Sequence, residues 1–247
     1  MKAIKWAATL LLLAPMFSHS AEISAERPGS ISVVGLITKG DADKLRNVIR
    51  TQKYGIATIS LDSPGGDVAE AIQMAEITKP LYVMVRVAPG KFCASACLFL
   101  WLVGTPRMAT AQESVQRLSK LGLNPAGTLG LHRPYLQNFD SVSNKQSEVM
   151  RQVQNYLETQ MVPRRLIDLM MSRPSNDIYW LNSKDFQEFG EYRPDVEEFL
   201  INKCGYTRAT DSAMARGLTG EQMMKAMTCS NNYLDEVRAK GLAALRK

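Results

Sequence analysis

Three short motifs of the sequence have residue types that could together catalyse an acyl transfer. The first contains Ser95, within the stretch Lys91–Gly104, where small residues lead into a continuous apolar run. A serine that opens a buried helix lies among backbone N–H groups without intrahelical acceptors, at the positive end of the helix dipole. That setting suits a nucleophile whose attack creates an oxyanion. On this motif alone, a serine that merely caps the helix is the more common explanation.

The other two motifs occupy comparable positions at strand ends. The turn Ser63-Pro64-Gly65-Gly66 follows an apolar run, and paired glycines let the backbone approach a ligand closely and present N–H groups to an anion. His132 ends the apolar run that begins at Thr128. The alternatives are a tight turn that needs those dihedrals and a structural histidine. A hydroxyl, an imidazole and a diglycine turn on neighbouring units favour a catalytic site, since α/β folds place their sites at strand ends.

The elements that must position these motifs alternate between strands and helices. Apolar runs rich in β-branched residues predict the strands, and apolar residues at helical spacing predict the helices. This alternation predicts an α/β fold with helices packed on mostly parallel strands. The segment Thr110–Gly127, which contains Gly122 and Pro125, is predicted to be irregular. We predict strands over 31–37, 56–61, 81–87, 107–109, 128–132 and 178–181, and helices over 40–53, 67–78, 142–160, 163–171 and 183–190, besides the one that Ser95 opens.

The N-terminus resembles an export signal. Lys2 and Lys5 precede the apolar stretch Trp6–Phe17, and small residues at 18 and 20 predict cleavage after about Ser20. The apolar stretch is short for a membrane span, although an uncleaved anchor is the alternative. Of the two histidines in the sequence, cleavage removes His19. Imidazole chemistry in the mature protein must therefore use His132.

The charge and the cysteines of the sequence bear on nucleic-acid binding, disulfides and metal binding. The net charge of +6 includes the two lysines of the predicted signal, and the remainder contains no basic block, which argues against a nucleic-acid partner. In an oxidising compartment, Cys204 and Cys229 are predicted to form a disulfide. The spacing of Cys93 and Cys97 leaves open whether they are free or paired. No cysteine is spaced from a histidine as in a metal site, so no metal is expected.

Taken in order, the three motifs resemble a known family. Ser-Pro-Gly-Gly after a strand, Ser95-Ala96 at a helix start and Leu131-His132-Arg133-Pro134 resemble the proteolytic subunit of Clp protease (ClpP), in the ClpP/crotonase superfamily. With the predicted signal, the pattern Cys-x-Ser-Ala-Cys at 93–97 resembles exported, ClpP-like proteins of bacterial envelopes. The resemblance covers about 31–190 and implies a spiral of ββα units. We therefore expect a signal peptide at 1–20, a ClpP/crotonase-like domain at 21–193 and a helical C-terminal appendage at 194–247.

The resemblance also implies roles for single residues. Ser95 would be the nucleophile and His132 the general base of a Ser-His-Asp triad. The backbone N–H groups of Gly66 and Ala96 would form the oxyanion hole, and no cofactor is implied. For the third triad residue, the layout of the family favours Asp177. Asp185 is the alternative, because the register at Asp177 differs by about one residue.

The function implied is that of an exported, periplasmic and ATP-independent serine peptidase. Its substrates would be peptides or unfolded envelope proteins, without an ATPase partner, and the family also implies a homo-oligomer. An inactive ClpP-like scaffold or binding protein is the main alternative. An acyl-CoA enzyme on the same fold is disfavoured by export, since CoA is a cytoplasmic cofactor. A Ser-Lys dyad would have to use Lys91 or Lys120, neither of which lies in a recognisable motif.

Overall fold

A computed structural model describes residues 20–53, 55–134, 144–189, 192–206 and 219–246. Except for Ser20, the predicted signal peptide lies outside these described residues, as does Gly190 at the predicted end of a helix. The described strands are β1 (Glu22–Arg27), β2 (Ser30–Val34), β3 (Thr58–Asp62), β4 (Met84–Val87), β5 (Phe92–Ala94), β6 (Arg107–Met108), β7 (Thr128–Leu131) and β8 (Tyr179–Trp180). The described helices are α1 (Asp41–Thr51), α2 (Val68–Thr78), α3 (Cys97–Leu102), α4 (Gln112–Lys120), α5 (Asn144–Thr159), α6 (Arg164–Ser172), α7 (Ser183–Phe189), α8 (Pro194–Cys204) and α9 (Gly220–Arg246), with a 3₁₀ turn at Lys79–Leu81.

The larger sheet has the strand order β1-β2-β3-β4-β6. In this sheet β2, β3, β4 and β6 are parallel, and β1 pairs antiparallel with β2 at the edge. Side chains such as Ile31, Ile59 and Val85 are fully buried, as expected of parallel strands covered by helices. The α/β fold predicted from the sequence is confirmed.

Each parallel strand is followed by a shorter extended piece, and these pieces form a second row. Ile37, after β2, bridges to Gly66, and Ser63, after β3, bridges to Cys93 in β5. The strand β5 pairs in parallel with β7, which pairs antiparallel with β8. A long strand, a short extended piece and a helix therefore recur along the chain, which confirms the predicted spiral of ββα units. The second row brings the three candidate motifs together.

The segment Thr110–Gly127 differs from its prediction as irregular, because it contains α4. Its two ends are joined by a hydrogen bond from the Thr110 N–H to the Gly127 carbonyl, 2.8 Å long. The Glu113 carboxylate accepts from the backbone and hydroxyl of Ser183 at the start of α7, at 2.8 and 2.6 Å. The prediction of an irregular segment was wrong, because the segment contains a helix and hydrogen bonds hold its two ends together and join it to α7.

The C-terminal helices pack on the end of the large sheet opposite the second row. Arg193 is buried before α8 and donates to the Lys79 carbonyl at 2.8 Å. In α9, Gly241 lies so close to the Pro80 carbonyl that a Cβ there would overlap it. The predicted disulfide between Cys204 and Cys229 is present and joins α8 to α9. Among the described helices, none is long and apolar enough to cross a membrane.

Candidate active site

Ser95 occupies a sharp turn between β5 and α3. Its φ is +55°, in the left-handed region that residues with a side chain rarely adopt. The Ser95 N–H donates to the Gly130 carbonyl at 3.0 Å, which fixes the turn against β7. The residue that caps α3 is Ala96, and no side chain caps this helix. Ser95 is therefore not the helix cap that the more common explanation required, and its hydroxyl makes no hydrogen bond within the described residues.

The left-handed turn also explains the cysteine spacing. Cys93 lies in β5 and Cys97 begins α3, and reversal of the chain between them brings their Cα atoms to 5.4 Å. The two sulfur atoms form a disulfide, which answers the question that the sequence left open. Both residues are fully buried. The disulfide thus spans the turn that presents Ser95.

The diglycine turn forms one wall of the site. Gly65 has a φ of +95°, and a Cβ on it would lie 2.7 Å from the Ser95 Cβ and 2.8 Å from the Ala96 nitrogen. No side chain could be accommodated at that distance, so the residue must be glycine for the two turns to meet. The Gly65 N–H donates to the Ser63 hydroxyl at 3.1 Å, which holds the turn in place.

The backbone N–H groups of Gly66 and Ala96 adjoin the contact between Gly65 and Ser95. The Ile37 N–H donates to the Gly65 carbonyl and the Asp67 N–H donates to the Ile37 carbonyl, at 2.8 and 2.9 Å. In a parallel bridge of this kind, the intervening residue, Gly66, directs its own N–H away from Ile37, toward β5. Within the described part of the chain, neither the Gly66 nor the Ala96 N–H donates to a carbonyl. Two donors are thus available beside the Ser95 turn.

His132 follows β7 at the same end of the second row. Ala94 and Gly130 are register partners of these parallel strands. Ser95 follows Ala94 by one residue and His132 follows Gly130 by two, so both lie at the same end of the second row. Both side chains are largely buried, at 9% and 6% exposure. The His132 Nδ1 lies 2.9 Å from the Arg133 carbonyl oxygen. Because a carbonyl can only accept, Nδ1 carries the proton in this bond, which leaves Nε2 as the acceptor that a general base needs.

Within the described residues, no hydrogen bond joins the Ser95 hydroxyl to the His132 imidazole. In proteins without bound substrate, catalytic hydrogen bonds are often long and tighten in the reactive complex. The structure places a serine hydroxyl, an imidazole on the adjacent strand and two backbone N–H groups at the same end of the second row. Acyl transfer by these groups would require the hydroxyl and Nε2 to meet.

Neither candidate for the third triad residue contacts His132 in the described structure. Asp177 is half-exposed and ion-pairs with Arg173 at 2.8 Å. Asp185 is fully buried, where it accepts from the Tyr179 hydroxyl at 3.0 Å and pairs with Arg165. The group that contacts Nδ1 is the Arg133 carbonyl. Sequence reasoning missed it because every residue has a carbonyl, and no pattern of residue types distinguishes this one.

The alternative Ser-Lys dyad has little support in the structure. The Lys91 ammonium ion-pairs with the Asp62 carboxylate at 3.1 Å, and Lys120 lies exposed at the end of α4. A lysine that acts as a general base is usually desolvated and away from a carboxylate, since both conditions lower its pKa. In the described residues, no group of histidine, cysteine, aspartate or glutamate side chains could hold a metal ion.

Comparison with known proteins gave matches among solved structures only. No protein-family model and no curated protein matches the chain. ClpP1 from Listeria monocytogenes is 14% identical with a TM-score of 0.47, over 67% of this chain and 89% of that one. A membrane-bound stomatin-specific protease is 19% identical with a TM-score of 0.46, over 70% of this chain and 81% of that one. Both TM-scores and both identities are low, so these likenesses carry no argument about this chain.

Proposed function

We propose that this chain is an exported serine peptidase that needs no ATP and no cofactor. The observation that carries the proposal is the position of Ser95. The Ser95 hydroxyl caps no helix and makes no hydrogen bond within the described residues. It lies in a left-handed turn against Gly65, beside two available N–H donors and next to the strand end that bears His132. A serine that only caps a helix or fills the core needs none of these neighbours.

The proposed reaction assigns one task to each of these groups. The Ser95 Oγ attacks the carbonyl carbon of a peptide bond while His132 Nε2 takes the hydroxyl proton. The N–H groups of Gly66 and Ala96 donate to the oxygen that becomes negative. His132 then gives its proton to the leaving amine, and water repeats the sequence on the acyl-enzyme. The Arg133 carbonyl keeps Nδ1 protonated throughout. This scheme therefore assigns no step to Asp177, whose role as the third member was predicted from the sequence and is untested.

The cellular context of the proposal comes from the sequence. A signal peptide cleaved after about Ser20 would deliver the chain to an oxidising compartment, in keeping with two disulfides in the described structure. In the periplasm, peptides or unfolded envelope proteins are the expected substrates, without an ATPase partner. A homo-oligomer is proposed from the family resemblance, and sedimentation of the mature protein would test it.

A fluorophosphonate probe tests the activity without knowledge of the substrate. The purified mature protein should be labelled, and mass spectrometry should locate the label at Ser95. Labelling should disappear in Ser95→Ala and fall at least about 1000-fold in His132→Ala, since the nucleophile and its base act as one unit. A folded wild-type protein that stays unlabelled would favour the inactive scaffold, for which the missing Ser95–His132 hydrogen bond is the supporting observation.

A further inference from the structure

The disulfide between Cys93 and Cys97 encloses the proposed nucleophile. Three residues lie between the two half-cystines, and Ser95 is the middle one. The bond therefore links the last part of β5 directly to the first residue of α3. Both half-cystines are fully buried, whereas Ser95 keeps 9% exposure.

The turn has a conformation that the chain would not choose without restraint. A left-handed φ at a residue with a Cβ is disfavoured relative to extended or right-handed helical values. On the strand side, the Ala94 N–H donates to the Ser63 carbonyl at 3.0 Å. On the helix side, the Leu98 N–H donates to the Ser95 carbonyl at 3.0 Å. These bonds hold the two flanks of the turn, and the disulfide is the covalent connection that fixes the flanks relative to each other.

The position of the hydroxyl depends on this connection. Gly65 lies against the Ser95 Cβ and the Ala96 nitrogen, so a small rotation of the turn changes both the nucleophile and one proposed oxyanion donor. Displacements of about 1 Å at a reacting atom can reduce a rate by about 100-fold. A link that keeps the two flanks at a fixed separation therefore acts on reactivity, beyond its effect on folding.

We propose that the Cys93–Cys97 disulfide is a positioning element, which holds the Ser95 hydroxyl at the proposed oxyanion donors. The inference rests on the proposed function of Ser95 as a nucleophile. It predicts that the protein reaches full reactivity only after oxidation, in which two thiols lose two electrons and two protons to a disulfide oxidant and form one Sγ–Sγ bond.

The second disulfide of the chain provides a matched control. The pair Cys93→Ala/Cys97→Ala removes the link at the site, and Cys204→Ala/Cys229→Ala removes the remote link between α8 and α9. The measurement is the second-order rate of fluorophosphonate labelling at Ser95, at a temperature where circular dichroism shows all three proteins folded. We expect the site variant to be labelled about 10- to 100-fold more slowly, and the remote variant within twofold of wild type.

If the site variant does not fold, the Cys93–Cys97 disulfide can instead be reduced and reoxidised in a protein whose Ser95 turn has its natural sequence. In the Cys204→Ala/Cys229→Ala protein, a water-soluble phosphine in mild denaturant can reduce the one remaining disulfide. The phosphine becomes its oxide with oxygen from water, and each sulfur gains a proton. After refolding, labelling should be slow while the thiols are free and should recover when oxidised glutathione restores the bond.

The outcomes separate the two proposals. Equal labelling rates in the oxidised and reduced forms, or in the site variant and wild type, would overturn the positioning role and leave the peptidase proposal intact. A wild-type protein in which Ser95 is never labelled would overturn the peptidase proposal, and the positioning role with it.

Discussion

The backbone nitrogen of Ala21 lies 3.2 Å from the Oδ2 atom of Asp41, a carboxylate that is fully buried. The same carboxylate accepts from the backbone of Thr38 at 2.7 Å and from the Lys44 ammonium at 2.9 Å. Ala21 is the residue that follows the predicted cleavage site. Cleavage after Ser20 would convert its amide nitrogen to an α-ammonium group and thus create an ion pair with Asp41.

Asp41→Asn should therefore destabilise the mature protein by about 3 kcal/mol, because it leaves a largely buried ammonium without its carboxylate. Urea unfolding of the mature chain measures the loss. The same substitution in a chain that retains residues 18–20 should cost less, since the nitrogen of Ala21 is then a neutral amide. Asp43→Asn, at an exposed carboxylate of the same helix, should change stability by less than about 0.5 kcal/mol. Equal losses in the mature and extended chains would rule out the ion pair.

Gly65→Ala should abolish the reactivity of Ser95, with a decrease in labelling of at least about 100-fold. Its Cβ would collide with the Ser95 Cβ and the Ala96 nitrogen, so the two turns would have to separate. Gly40→Ala is the control, because Gly40 has nearly the same φ, +98°, and no atom within 4 Å of the added Cβ. Both substitutions carry a similar backbone cost, of about 1–2 kcal/mol. If Gly40→Ala reduced labelling as much as Gly65→Ala, the effect would be one of stability.

Most of the long elements were predictable because burial leaves a strong pattern in the sequence. Short apolar runs such as Ile56–Leu61 are typical of strands covered on both faces, and the helices between them carry apolar residues at helical spacing. The strand β1 was missed because it lies at the edge of the sheet, where polar side chains are tolerated and the pattern is weak.

The details of the candidate site were less predictable, because they depend on single dihedrals and backbone atoms. The spacing of Cys93 and Cys97 left their pairing open, because a left-handed residue between a strand and a helix is what brings them together. The three residues of β5 are too few to show periodicity, and they are a strand only because Ser63 and β7 pair with them on either side. The order of the motifs in the sequence predicted which of them lie close together, whereas the pairing of β5 with its neighbouring strands determines how they are arranged.

The ionised Asp195 carboxylate should stabilise the folded protein through its contact with Arg193, and this stabilisation should be lost at acidic pH. Although burial acts to raise the pKa of Asp195, the hydrogen bond and charge of Arg193 lower it below its ordinary value. A carboxylate with a lower pKa in the folded state stabilises the protein fully above its unfolded pKa, about 4, and this contribution is lost as pH falls through the folded value. The stability difference between wild type and Asp195→Asn should therefore be present at pH 7 and decrease progressively as the pH falls below about 4.

The control for this pH dependence is Asp168→Asn, which removes an ion pair with Arg164 whose two partners are both exposed. Such pairs contribute little, and we expect a difference below about 0.5 kcal/mol at either pH. Thermal unfolding across the pH range measures both variants. A difference at Asp195 that persisted unchanged at pH 2 would mean that packing, and not the charge, stabilises the contact with Arg193.

His132 and Asp177 should differ sharply in their effect on reactivity. His132→Ala removes the only imidazole near Ser95 within the described residues, so labelling should fall at least about 1000-fold. Asp177→Asn should reduce labelling by less than tenfold, because Nδ1 of His132 already donates to the Arg133 carbonyl and the tautomer needs no carboxylate. Its carboxylate is instead engaged with Arg173. Loss of a carboxylate that does orient a catalytic histidine costs about 10,000-fold, so a decrease of that size would show that Asp177 exchanges Arg173 for His132 during the reaction.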